Sequence, residues 1–198
     1  IARIFYNLGP DARDWKVNLA QEDLKASGLC KEKVQPILYR PFDMRYTYYT
    51  GKSRGFHCMP RQEVMQHLLE KQNLAFLAKR QGKRDPYSYF FVSNVICESC
   101  VFESAYANNS VFPLYLYPNV SQVGLFPSTV NNVKPNISSE FFQKLVLTYE
   151  KEVSPESIFS YIYGVTFSNT YRDLYIQMLK VDFPRIPFTA ELEVFNAM

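Results

Sequence analysis

The sequence is poor in the residues on which self-contained catalysts of this size are usually built. Seven glycines are scattered over 198 positions, and none of them forms a G-x-G-x-x-G or other phosphate-cradling loop. There are two histidines, His57 and His67, with neither a G-x-S-x-G elbow nor an H-E-x-x-H helix. His57 adjoins Cys58, but neighbours on an extended chain point to opposite faces and cannot form a Cys–His dyad. His67 reads as a surface residue on the polar side of a helix.

Cysteine is equally sparse. Cys30, Cys58, Cys97 and Cys100 are too few for a disulfide scaffold in a chain this long. Cys97 and Cys100 form a lone C-x-x-C. Structural zinc needs four ligands, and His57–Cys58 is a poor second pair, so reduced thiols and no metal are expected. A thiol enzyme using Cys58 or Cys97 is a weak alternative. No apolar run approaches the roughly 20 residues that span a bilayer, and no basic-flanked apolar segment opens the chain. The expectation is a cytoplasmic protein without a membrane partner, and the start at Ile1 reads as a piece of a longer polypeptide.

What is present is aromatic and unevenly basic. Fifteen tyrosines and sixteen phenylalanines favour strands and contact surfaces. From Arg40 to Asp85 ten Lys and Arg stand against four Asp and Glu, whereas the rest of the chain is net acidic. A basic segment of this kind suits a polyanion. Its first part, "RPFDMRYTYYTGKSRGFHCMPRQEV", packs four arginines and three tyrosines around a turn. Asp43 lies between Arg40 and Arg45 and reads as an ion-pair partner that orients both.

The pattern predicts a helix in "DARDWKVNLAQEDLKASG", capped by Asn18 and stopped by Gly28. "ILYRPFDMRYTYYTG" reads as extended, with a return strand at "GFHCM" that makes a hairpin carrying Lys52 and Arg54 at its tip. Pro60 opens an amphipathic helix ending near Gln72. "NLAFLAKRQ", "YFFVSNVIC" and "VFPLYLYP" read as strands apolar enough to be buried on both faces. Residues 118–135 are loop-like. Three helices follow, in "SSEFFQKLVLTYEKE", in "SPESIFSYIYGV" and after Ser168, before the extended "DFPRIPF". The expected class is α/β in the α+β sense: a mixed sheet with a basic hairpin and loops, then a helical C-terminal part. Residues 1–36 read as a helical lead-in, 37–188 as the main domain and 189–198 as a tail.

Within this frame the candidate interface is a set of cations on loops. Lys and Arg neutralise phosphates irrespective of sequence, whereas base reading needs Arg on guanine or Gln on adenine. "AKRQGKR" offers both kinds, with Arg80 and Gln81 for base edges and Lys79, Lys83 and Arg84 for phosphates. The hairpin tip at Lys52, Ser53 and Arg54 makes a second prong, with Arg61 a further candidate contact.

Four blocks in order, "ILYRPFDMRYTYY", "MPRQEVMQHLLEKQNLAFLAKRQ", "FPLYLYP" and "YIYGVTFSNTYRDLYIQMLKVDFPRIPF", resemble the C-terminal specificity region of Type ISP restriction–modification enzymes and related DNA N6-adenine methyltransferases. The resemblance runs from about Ile37 to Phe188. It implies a target recognition domain that reads double-stranded DNA and positions an adenine for an upstream methyltransferase domain. It also implies that S-adenosylmethionine is bound there and not here, since N/D-P-P-Y/F and F-x-G-x-G are missing from this chain. One block departs from the family pattern, with Phe167 and Asn169 where His-Ser-Pro-like residues are expected. The alternative is a protein–protein docking module of the same large enzyme, with tyrosines as its interface.

Overall fold

The computed structural model describes residues 1–12, 14–83, 87–102, 108–118 and 133–198. A short helix α1 (Ala2–Phe5) precedes α2 (Val17–Ser27), which Gly28 ends at φ 67°. The helix begins at Val17, not at Asn18. Its first free N–H is taken by the Asp11 carboxylate at 3.0 Å, which leaves Asn18 inside the first turn.

Strands β1 (Val34–Arg40) and β2 (Asp43–Tyr48) pair antiparallel, and the chain reverses at Pro41-Phe42 with Phe42 at φ 63°. The expected hairpin is therefore displaced. Residues 55–59 form no return strand, because their backbone is used in a local turn where Arg54 N–H bonds Cys58 C=O at 2.9 Å and Gly55 N–H bonds His57 C=O at 3.0 Å. A backbone group spent on a turn is lost to a ladder.

The expected helix from Pro60 is also shorter. α3 spans Gln62–Met65 and continues as irregular turns, with mixed i→i−3 and i→i−4 bonds, to Leu69. Glu70 at φ 52° lies outside helical space, and the Asn73 side chain captures the His67 carbonyl at 2.8 Å.

β3 (Ala75–Lys79) is the wall between two cores. It lies between β4 (Phe90–Ser93) and β6 (Asn109–Pro113), antiparallel to both. Side chains alternate along a strand, so Ala75 and Leu77 face one cluster while Phe76 and Ala78 face another. The first cluster packs Leu38, Tyr49, Met65, Leu68 and Ile96 beneath a second sheet, in which β5 (Ile96–Cys97) runs parallel to β1. The expected single mixed sheet is thus divided, and the α+β class holds. β6 is not buried on both faces; among the described residues it is an edge strand, with Phe112 41% exposed. β7 (Tyr115–Leu116) and β8 (Lys134–Pro135) make a further small pair.

The second cluster is covered by α4 (Ser139–Tyr149), α5 (Pro155–Phe167) and α6 (Asn169–Leu179). Ser138, Ser154 and Ser168 each accept an N–H from the residue three positions on, the signature of an N-cap. Ser168 holds that duty between Phe167 and Asn169. The hydroxyls of Tyr149, Tyr161 and Tyr171 donate to the carbonyls of Thr189, Pro187 and Arg185, which ties the extended segment across the helices. Residues 192–197 form α7 (Leu192–Ala197), whose Phe195 is buried against Tyr149 and Tyr161.

Candidate nucleic-acid interface

The loop between β2 and α3 carries Lys52, Arg54 and Arg61, all exposed. Arg54 and Arg61 both have positive φ, 54° and 52°, and bracket the turn closed by Cys58. Arg61 reaches toward Glu63 at 3.8 Å, a long and solvated contact that leaves its guanidinium usable. Beneath the loop, the Asp23 carboxylate accepts hydrogen bonds from Thr50 and Phe56.

The second group follows β3. Arg80, Gln81 and Lys83 are exposed; Gly82 between them is buried against the rings of Tyr87 and Tyr89. Arg80 donates from Nε to Asp182 at 3.0 Å. Arg84 lies outside the described residues.

Lys79 requires correction. It is completely buried, with Nζ 5.0 Å from the centre of the Tyr89 ring, so it is a core cation and no phosphate contact. The physical reason is its place on β3, where every residue is buried. The apolar run ends one residue later than its chemistry implies.

The Arg40–Asp43–Arg45 cluster is rearranged as well. Asp43 pairs with Arg45 at 2.9 Å, while Arg40 pairs with Glu98 at 2.9 Å across the parallel strand. The Arg45 guanidinium, by hydrogen bonding, holds the Asp43 carboxyl below its ordinary range. Both guanidiniums also lie against the Tyr39 ring, 4.0 and 3.7 Å from its centre. This arrangement orients the arginines as structural parts of the hairpin.

Among the described residues, His57, His67 and Cys97 bond separate partners. His57 bonds the Thr47 hydroxyl through Nε2 at 2.8 Å. His67, expected at the surface, is buried, and its Nδ1 accepts the Tyr117 N–H at 3.1 Å. Burial pushes the Cys97 thiol up to about 11, the reverse of what a nucleophile needs. An open groove of 610 Å³ beside α6 is lined mainly by apolar side chains, among them Tyr175, Met178 and Ile186, together with Asp182 and Arg185. Such walls suit no polyanion.

Sequence reasoning missed Asp23, Asp182 and Glu98. Each is brought to its partner by chain folding over 27 to 102 positions, and no local spacing marks them.

A family model described as Type ISP C-terminal specificity domain matches residues 2–198. The chain belongs to that family. This specificity domain is also similar in fold to a solved DrdV–DNA complex, with TM-score 0.66 and 24% identity over 86% of its length. It is similar to a nuclease-deletion mutant of the Type ISP restriction–modification enzyme LlaGI, solved with a DNA substrate mimic, with TM-score 0.53 and 20% identity over 81% of its length. The specificity domain spans 15% and 12% of the lengths of those two chains. No curated protein matches it.

Proposed function

We propose that this specificity domain is a DNA target recognition module, which reads a double-stranded site and presents it to catalytic domains elsewhere in a Type ISP polypeptide. The observation that carries the reading is the arrangement of Lys52, Arg54 and Arg61 on the loop after β2, and of Arg80, Gln81 and Lys83 on the turn after the buried strand β3. Rigid loops that display cations supply the phosphate grip, and an Arg-Gln pair supplies groups able to read guanine and adenine. The DNA-bound state of DrdV and LlaGI supports the same reading.

The partner in this proposal is an upstream methyltransferase domain that modifies adenine, with restriction activity in the same polypeptide. S-adenosylmethionine would supply the methyl group there, and no step of that transfer uses a residue of this chain. The work of the specificity domain is to bind and orient. A docking module built on tyrosine is less well supported: Tyr49, Tyr87, Tyr89, Tyr149, Tyr161 and Tyr171 are buried, and the exposed Tyr6, Tyr46 and Tyr175 lie on separate elements.

Selection from a random duplex library at low and moderate salt tests the proposal. Enrichment of one asymmetric motif, lost in an R80A/Q81A variant, is the expected result. No retention at low salt would overturn it.

A further inference from the structure

The loop that carries Lys52 and Arg54 is held from below by a single carboxylate. Asp23, in the middle of α2, is 3% exposed. Its Oδ2 accepts the Thr50 hydroxyl at 2.7 Å and the Phe56 N–H at 2.8 Å, one on each side of the two cations. Thr50 Oγ1 in turn accepts the Lys52 N–H at 3.3 Å. The fit is close: a Cβ at Gly55 would lie 2.2 Å from the same oxygen. Trp15 adds a further tie from the N-terminal segment, donating from Nε1 to the Phe56 carbonyl at 3.0 Å.

A buried carboxylate that bonds both shoulders of an exposed cationic loop removes the loop's freedom before any ligand arrives. Ordering costs that would otherwise fall on binding are met in the free protein. We infer that Asp23 is a positioning residue for DNA binding, holding residues 50–56 closed against α2 so that Lys52 and Arg54 meet the phosphates as a preset pair. The inference rests on the DNA reading above. It also makes α2 part of the recognition unit, where the sequence pattern reads only a lead-in.

A carboxylate near two phosphate-binding cations has a competing explanation, in which its charge simply opposes DNA. The two roles separate by substitution. Both hydrogen bonds end on one oxygen, so D23N keeps the acceptor and loses the charge, whereas D23A loses both.

The test uses the full 198-residue chain as wild type, D23A, D23N, T50V, K52A/R54A and D23A/K52A/R54A. Binding to a labelled duplex is measured across a salt series, and tryptic cleavage after Lys52 and Arg54 is timed without DNA. K52A/R54A is expected to reduce the slope of log K against log salt by about 1.8, at roughly 0.9 per phosphate contact. D23A is expected to reduce it comparably, to add nothing to K52A/R54A, and to speed cleavage. D23N restores both readouts, and T50V, which removes one donor from the loop side and leaves α2 intact, shifts them partway. A wild-type slope in D23A and T50V, or effects additive with K52A/R54A, would overturn the positioning role. Stronger binding in both D23A and D23N would establish charge repulsion in its place. Absence of wild-type binding would sink the DNA reading and the positioning role with it, and the cleavage times would then report on the loop alone.

Discussion

Arg80 donates from Nε to the Asp182 carboxylate at 3.0 Å, joining two residues 102 positions apart. The bond uses the side edge of the guanidinium and leaves its two Nη groups, the fork that pairs with guanine O6 and N7, directed elsewhere. Asp182 is itself held below its ordinary pKa, first by the Phe183 N–H and then by Arg80. An arginine steadied in this way reads a base more sharply than one that samples many rotamers. R80A should therefore lower discrimination at one base pair roughly five- to hundredfold. D182N should lower it less, at the same position. The ion pair is exposed on both sides, so neither change should move the melting temperature appreciably. Competition binding with duplexes altered one position at a time measures this.

Gly82 lies between the two candidate base-reading residues and Lys83, and it is there for space. A Cβ would approach the Tyr89 ring to 2.2 Å and the Tyr87 ring to 3.0 Å, and both rings are buried. Rings locked in a core cannot swing aside, so G82A should destabilise the fold by about 1–3 kcal/mol. Thermal unfolding should show a drop of several degrees.

Phe195 gives the C-terminal residues a structural role. It is 3% exposed, with ring centres 5.2 Å from Tyr149 and 4.9 Å from Tyr161. F195A should cost about 3–5 kcal/mol, within the usual range for a buried aromatic. Denaturant unfolding should show the loss with little change in the m-value.

Two histidines set a pH dependence. Burial lowers the pKa of both His57 and His67 from the ordinary 6.5, with Asp23 partly opposing the shift at His57. The unfolded chain takes up protons near its own pKa while the folded chain resists, so stability falls as pH drops through about 6.5 and stops falling below the folded pKa values. His67 also accepts an N–H through Nδ1, which protonation would abolish. Unfolding free energy should decline between about pH 7 and 5. H67N should be less stable at pH 7 and show a shallower decline.

The legible parts of the fold are those written in local chemistry. The three C-terminal helices follow from Ser138, Ser154 and Ser168 at their caps, from Pro155 at a first helical position, and from apolar stripes at helical spacing. β3 follows from an unbroken apolar run ahead of a charged turn. The Pro60 helix falls short of its pattern and no strand forms at 55–59 because the competitors are distant or specific: an Asn73 side chain for one, a turn closed by Cys58 for the other.

The sequence by itself determined that the three C-terminal helices and β3 form, which helix faces are apolar and which segment is basic, because propensity, capping and charge act over a few residues. Only the tertiary structure decided which cations are available. Lys79 and Arg80 are adjacent and chemically alike, yet one lies wholly inside and the other on the surface. What separates them is the end of a strand buried on both faces, and a boundary of that kind exists only once β4, β6 and the helices have packed around it. The same holds for Asp23 and Asp182, whose carboxylates acquire a role only when a loop or a turn far away in sequence is brought within hydrogen-bond reach.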